Sequence, residues 1–222
     1  MVNRPQLWET TRHICGIDLH MIHLRHQYCE VITMKKLLIA SDIHGSAYYC
    51  EKLMERIKEE NADRILLLGD LLYHGPRNDL PRDYAPKRVI EMLNSLTGDL
   101  LCVRGNCDTE VDQMVLNFPI MAEYAFVAVG NEKLFVTHGH HHGEKTPPPL
   151  RKGDILLCGH THIPACNEYE DFTYMNPGSV GIPKKGSRYS YMTWENGEFY
   201  WKDVETGEVY HRRSRGRIEL PG

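Results

Sequence analysis

Residues 37–45 read Leu-Leu-Ile-Ala-Ser-Asp-Ile-His-Gly. Four apolar residues in a row, too few for a buried helix, read as a strand covered on both faces. A carboxylate (Asp42) and an imidazole (His44) follow where that strand runs out. The pattern then recurs along the chain. Ile65–Leu68 leads into Gly69-Asp70, and Leu100–Val103 into Arg104-Gly105-Asn106-Cys107-Asp108. Lys133–Thr137 leads into His138-Gly139-His140, and Ile155–Cys158 into Gly159-His160-Thr161-His162. Between the first three runs lie two amphipathic stretches. Tyr48–Glu60 carries Cys50, Leu53, Met54 and Ile57 on one face, and Pro86–Leu96 carries Val89, Ile90, Leu93 and Leu96. Strands alternating with helices predict a parallel sheet.

The second half changes character. Gly130-Asn131 between Tyr124–Val129 and Lys133–Thr137 predicts a hairpin. Phe172–Met175, Tyr189–Trp194, Glu198–Trp201 and Val204–His211 read as short strands, with turns at Asn196-Gly197 and Thr206-Gly207. A parallel half continued by an antiparallel half predicts an α/β fold, an αββα sandwich of two mixed β-sheets flanked by helices. The methionine and aromatic residues near the C-terminus read as core.

Composition sets the outer limits. The 222 residues, 41% of them hydrophobic, suffice for one sizeable core. A net charge of −4 gives no general pull toward nucleic acid or an anionic membrane. The basic tail His-Arg-Arg-Ser-Arg-Gly-Arg (211–217) reads as a solvated end, because no wider basic face joins it. No apolar run is long enough to span a membrane. Seven cysteines without a C-x-x-C pair read as reduced thiols in a cytoplasmic protein. Residues 1–33 stand apart as an N-terminal extension before a domain over 34–222. They lack a clean signal-peptide pattern. Three readings stay open: a non-native extension before Met34, a short helical appendage, and a zinc site from Cys15, His20, His23, His26 and Cys29, whose spacing fits no common zinc module.

The five loops beyond the buried runs offer seven ligand-type side chains: Asp42, His44, Asp70, Asn106, His138, His160 and His162. Ligands in open α/β sheets gather beyond the carboxyl ends of strands, so these loops can converge. Glycines at 45, 69, 105, 139 and 159 let the backbone turn beside each ligand. In D-x-H and H-x-H, an extended segment would put both side chains on one side. Burying four histidines and two aspartates with nothing to offset their desolvation is too costly to be structural filler, so a metal centre is expected. Carboxylate, amide and imidazole donors suit Mn2+, Fe2+ or Zn2+ over Cu(I).

In this order the motifs D-x-H, G-D, G-N, H and G-H-x-H resemble those of the calcineurin-like metallophosphoesterases, over Met34 to about Lys185. G-D-x-x-x-H-G-P-R-N, V-R-G-N-C-D, T-H-G-H, G-H-T-H-x-P and N-P-G-S-V are similar to the bacterial YfcE-type phosphodiesterases within that superfamily. The resemblance implies two divalent ions per subunit, with Mn2+ the usual activator and Fe2+, Zn2+, Co2+ or Ni2+ as substitutes. Asp42, His44 and His162 would bind one ion, Asn106, His138 and His160 the other, and Asp70 would bridge them. It implies a metal-dependent phosphodiesterase in which a hydroxide bridging the ions attacks a small phosphodiester, and homo-oligomers. Two divalent ions, two carboxylates and one hydroxide leave about one positive charge, which suits a phosphodiester monoanion.

Asn106, Cys107 and Asp108 are the catalytic candidates. Superfamily members that cleave monoesters commonly carry histidine after G-N as an acid for the leaving group, and Cys107 takes that place here. Asp108 either orients a catalytic neighbour, as the comparable carboxylate does in the superfamily, or caps loop amides. His74, Arg77 and His140 are candidate substrate contacts, His140 also as support for a ligand. His141 and His142 read as solvent-facing, and Asn176 and Ser179 as shaping the rim. The competing readings are a phosphomonoesterase or protein phosphatase on the same fold, and a metal-binding scaffold without activity, like the retromer subunit of this fold.

Overall fold

A computed structural model describes residues 34–214. The zinc alternative at Cys15–Cys29 lies outside them. Eleven strands form two mixed sheets among these residues. In the first, β1 (Lys36–Ala40), β2 (Arg64–Leu67) and β3 (Leu100–Cys102) run parallel, and β9 (Ser190–Glu195), β10 (Glu198–Asp203) and β11 (Val209–Ser214) extend it antiparallel from β1, in the order β11-β10-β9-β1-β2-β3. The second contains β4 (Tyr124–Val129), β5 (Glu132–Thr137), β6 (Asp154–Leu157), β7 (Ala165–Glu168) and β8 (Phe172–Asn176), ordered β4-β5-β6-β8-β7, with β5, β6 and β8 parallel.

Period-two alternation divides each central strand between two cores. Leu37 and Ile39 of β1 and Leu66 of β2 face the second sheet. They meet Leu134, Val136, Ile155, Leu157 and Met175 there, with Met192, Trp194, Phe199 and Trp201 closing the layer. Leu38, Ala40, Ile65 and Leu67 face the other way, against helices α1 (Ala47–Glu60) and α2 (Pro86–Asn94), through Tyr49, Cys50, Leu53, Val89 and Leu93. Ser46 caps α1, its hydroxyl accepting the Tyr49 N–H, and Pro86 opens α2 at a position whose N–H would be idle in any case. The outer face of the second sheet buries Phe135, Leu156, Cys158 and Tyr174 beneath Leu150 of the 138–153 loop. Among the described residues the flanking helices lie on one side only.

Three elements depart from the pattern read in the sequence. The expected strand Val204–His211 is displaced to Val209–Ser214, because Asp203 accepts the N–H groups of Glu205 and Thr206 and folds 204–207 into a turn. The first half of the basic tail, His211 to Ser214, is therefore edge strand. Strand β7, Ala-Cys-Asn-Glu, and the one-turn helix α3 (Glu110–Gln113) carry no hydrophobic period to betray them. Pairing with β8 makes the first and a Thr109–Asp112 capping box the second. No described helix is long and apolar enough to cross a membrane.

Candidate metal centre

The loops after β1, β2 and β3 of one sheet and after β5 and β6 of the other meet at the carboxyl ends of their strands. Backbone ladders lock them together. His44 and Gly45 donate N–H bonds to the carbonyls of Asp70 and Leu71 (both 2.9 Å), and Gly159 donates to the His138 carbonyl (2.9 Å). The D-x-H and H-x-H segments are not extended, contrary to the sequence expectation. Asp42, His44, Asp70, His160 and His162 all have positive φ, between 52° and 65°. Left-handed backbone at five ligand positions is strain that only a tightly determined surround sustains. It belongs to three of the five loops, those after β1, β2 and β6. Gly105 is required by proximity, since a Cβ there would sit 2.1 Å from Asp70 Oδ1.

The side chains share one orientation rule. The Nδ1–H groups of His44, His138 and His162 donate to the carbonyls of Tyr73 (2.6 Å), Leu68 (2.6 Å) and Ile182 (2.5 Å). That fixes each ring and turns its Nε2 into the site, the arrangement of metal-ligating histidines. There His162 Nε2 lies 3.2 Å from Asp42 Oδ1 and 3.2 Å from His44 Nε2. His138 Nε2 lies 3.4 Å from Asp70 Oδ2 and 3.2 Å from Asn106 Oδ1. Asp42 Oδ2 is engaged by the Ser41 hydroxyl (2.6 Å) and the His160 N–H (3.0 Å), but buried Oδ1 has no aligned donor. Acceptors and imidazole nitrogens crowded together without enough protons between them form a cradle for cations, so these residues fit divalent ions. Asp42, His44 and His162 bring their ligand atoms within 4.8 Å of one another, as do Asp42, Asp70 and His138. The His160 ring stands 5.1 Å from that of His138.

In the absence of cations, protons play their part. Burial opposes the charged form of His138, but the hydrogen bond and charge of Asp70 and the charge of Asp42 outweigh it and push the imidazole up to about 9. Burial likewise opposes ionisation of Asp42, yet His162 and His44 hold it well below the usual range. A cation must therefore displace protons from histidines, not from carboxylates. Mn2+ affinity measured by calorimetry on the metal-free chain is expected to climb from pH 7 to pH 9, by about tenfold per pH unit for each proton displaced, then to level off. A flat profile would show that His138 is neutral throughout.

The family profile for the calcineurin-like phosphoesterase superfamily domain matches residues 34–197, a span holding every one of these side chains. The chain belongs to that superfamily. Among its relatives in the superfamily, phosphodiesterase YfcE of Escherichia coli K12 is 47% identical over 163 residues, covering 73% of this chain and 89% of that protein. A phosphodiesterase of Methanocaldococcus jannaschii is 26% identical over 164 residues, covering 68% and 90%. The solved structure of the E. coli YfcE phosphoesterase superposes with a TM-score of 0.78 at 42% identity, over 81% of this chain and 98% of that one. Vacuolar protein sorting 29 from Cryptosporidium parvum shares the fold alone, with a TM-score of 0.54 at 19% identity over 82% and 100%.

Around the calcineurin-like centre a cavity of about 450 Å³ opens, lined by His44, Asp70, Asn106, Cys107, His160 and His162, with Arg77 and Lys184 among its polar walls. Lys184 escaped the sequence reading; a lysine pair just past the Asn-Pro-Gly-Ser turn was its only trace. His74 turns elsewhere, its ring edge-on to Tyr73 and Tyr84. His140 packs beside His138 and His141 rather than on this cavity. Asn176 and Ser179 are wholly buried, not rim residues. Asn176 Nδ2 donates to the Gly159 carbonyl (2.7 Å), and the Ser179 hydroxyl to that of Asp42 (2.8 Å). They hold the ligand loops from behind.

Asp108 does the same for the third loop. Its carboxylate accepts the N–H groups of Asp70 (2.8 Å), Leu71 (3.0 Å) and Gly105 (2.7 Å). Burial, with Asp70 nearby, raises its pKa even so. Asp108→Ala leaves three buried donors unpaired, at roughly 1–3 kcal/mol each. Thermal unfolding should fall by about 6 °C or more, since 1 kcal/mol is worth about 2–4 °C at this size.

Proposed function

We propose that the chain is a phosphodiesterase that works with two divalent cations, Mn2+ by preference. Asp42, His44 and His162 hold one, Asn106, His138 and His160 the other, and Asp70 both. The observation that carries this reading is the buried convergence of ring-locked histidine Nε2 atoms on two carboxylates, one with an unpaired oxygen. The two relatives named as phosphodiesterases support it. When bound, two such cations supply Lewis acidity toward phosphoryl oxygens and toward water.

The chain's own groups do the rest. Arg77 and Lys184 add positive charge to the cavity wall and favour an anionic substrate. The Asn106 amide sits beside Cys107, its Nδ2 3.3 Å from Sγ, and both line the cavity. The Cys107 thiol is pushed up to about 12 by burial and by Asp70, Asp108 and Asp42, carboxylates that bound cations would partly neutralise. It keeps its proton at neutral pH and so is neither a thiolate nucleophile nor an apt acid. That favours esters whose alcohol departs unaided, hence aryl-type diesters over alkyl monoesters. All seven ligand positions are filled, which argues against a scaffold role. Homo-oligomers would cover Tyr124 and Phe126, exposed on edge strand β4.

The test is a panel of aryl and alkyl phosphodiesters and phosphomonoesters assayed with Mn2+ after chelation. Aryl diesters are expected to lead, and activity is expected to vanish without a divalent ion. A metal-independent rate, or alkyl monoesters as the best substrates, would overturn the reading.

A further inference from the structure

Beside the dinuclear centre stands a second set of ligand-type side chains that shares none of its seven residues. We propose that Glu123, His140 and His141 form an auxiliary site for a borderline divalent cation such as Zn2+. The register of β4 on β5 builds it: Tyr124 pairs with Thr137, so Glu123, just before β4, lies against the loop that leaves β5 with His140 and His141. The Thr137 hydroxyl fastens the crossing by donating to the Glu123 carbonyl (3.1 Å).

The ligand geometry is already gathered. One atom from each of the three side chains lies within 4.8 Å of the others, with His141 Nε2 4.0 Å from Glu123 Oε2. The two imidazole rings are 4.0 Å apart between centroids. Arg104 Nη1 donates to Glu123 Oε1 (3.1 Å), which pins the carboxylate and leaves Oε2 on the histidine side. On His140, Nδ1 is buried and has no hydrogen-bond partner among the described residues, a desolvation cost left without compensation there. Two imidazoles and one carboxylate with open positions suit zinc or nickel, and are poor in oxygen donors for Mg2+ or Ca2+.

Two features set the site's character. Glu123 and His141 are exposed, so the entry path is open and occupancy is weaker than at the buried pair. The His140 ring also stands 5.5 Å from that of His138 and 6.2 Å from that of His160. An ion there would fix the loop that carries His138.

Equilibrium dialysis of the full chain against ZnCl2, with bound zinc counted by mass spectrometry, tests the proposal. The comparison is between wild type, His141→Ala and His142→Ala. Because the readout is a difference between chains, it does not depend on how many ions the catalytic centre or residues 1–33 take. His141→Ala is expected to bind one zinc fewer per chain than wild type, and His142→Ala the same number as wild type. Equal zinc in His141→Ala and wild type would overturn the site. So would an equal loss in both variants, which would mean chelation by a histidine-rich loop without a built geometry.

Discussion

Asp70→Asn should lower kcat/KM toward an aryl phosphodiester by at least about 10³-fold while the protein stays folded. The substitution is nearly isosteric. The asparagine Oδ1 can still accept the Cys107 N–H that Asp70 Oδ1 accepts at 2.7 Å, so the third loop keeps its anchor. What is lost is the charge on Oδ2, which faces His138 Nε2 at 3.4 Å and His44 Nε2 at 3.6 Å. Asp70 Oδ2 faces a histidine of each half of the ligand set, so losing its charge weakens both. Transition-state stabilisation of several kcal/mol from a metal pair corresponds to about three decades in rate at 1.36 kcal/mol per decade. A second readout separates this from misfolding. Mn2+ at about 100 Kd stabilises a one-site protein by about 2.7 kcal/mol, so wild type should gain several degrees in unfolding temperature and the variant much less. A variant that keeps both activity and the full Mn2+-dependent gain would remove Asp70 from the centre.

How far the site could be read in the sequence follows from what each residue type betrays. The apolar runs before Asp42, Asp70, Asn106, His138 and His160 announced buried strands with ligand-type residues at their ends, and the sheets carry them there, although β5, β6 and β8 run parallel where the sequence reading made the second half antiparallel. Period-two alternation also allotted Leu37 and Leu38 to opposite cores. The backbone of D-x-H could not be read the same way. An extended segment is the default for alternating side chains, and only the interlocking of neighbouring loops holds Asp42 and His44 in left-handed conformations. Asn176 and Ser179 look from sequence like ordinary turn residues; their burial depends on loops more than 15 residues away in the chain, which no local pattern encodes. Strand β7 is polar and owes its existence to its partner β8. Long-range pairing, not propensity, decides such elements.

Cys107→His should raise kcat/KM toward alkyl phosphomonoesters by about 10- to 100-fold and change aryl diester turnover much less. Position 107 follows the proposed ligand Asn106 and lines the cavity, so a side chain there faces the space a substrate would fill. The native thiol, its pKa pushed up by burial and by the charges of Asp70, Asp108 and Asp42, is a much weaker acid than an imidazolium and so a less effective proton donor to a departing alkoxide in the transition state. Imidazole, with an ordinary pKa of about 6.5, is far closer to the operating pH, and positioned acids of that kind contribute roughly 10²–10⁴-fold. The lower end is expected, because nothing in the loop was built to aim an imidazole. Asp108 spends its carboxylate on three backbone N–H groups and has little left to orient a new ring. The gain should also carry its own pH mark: the histidine acts as an acid only while protonated, so the alkyl monoester rate of the variant must fall as pH rises through the imidazolium pKa, where the wild-type rate shows no such limb. Dependence on the leaving group should flatten in parallel, since a donated proton relieves the charge that made alkoxides poor leaving groups. If metal content is intact and neither the gain nor the alkaline fall is seen, the cysteine is not what steers this centre toward diesters with good leaving groups.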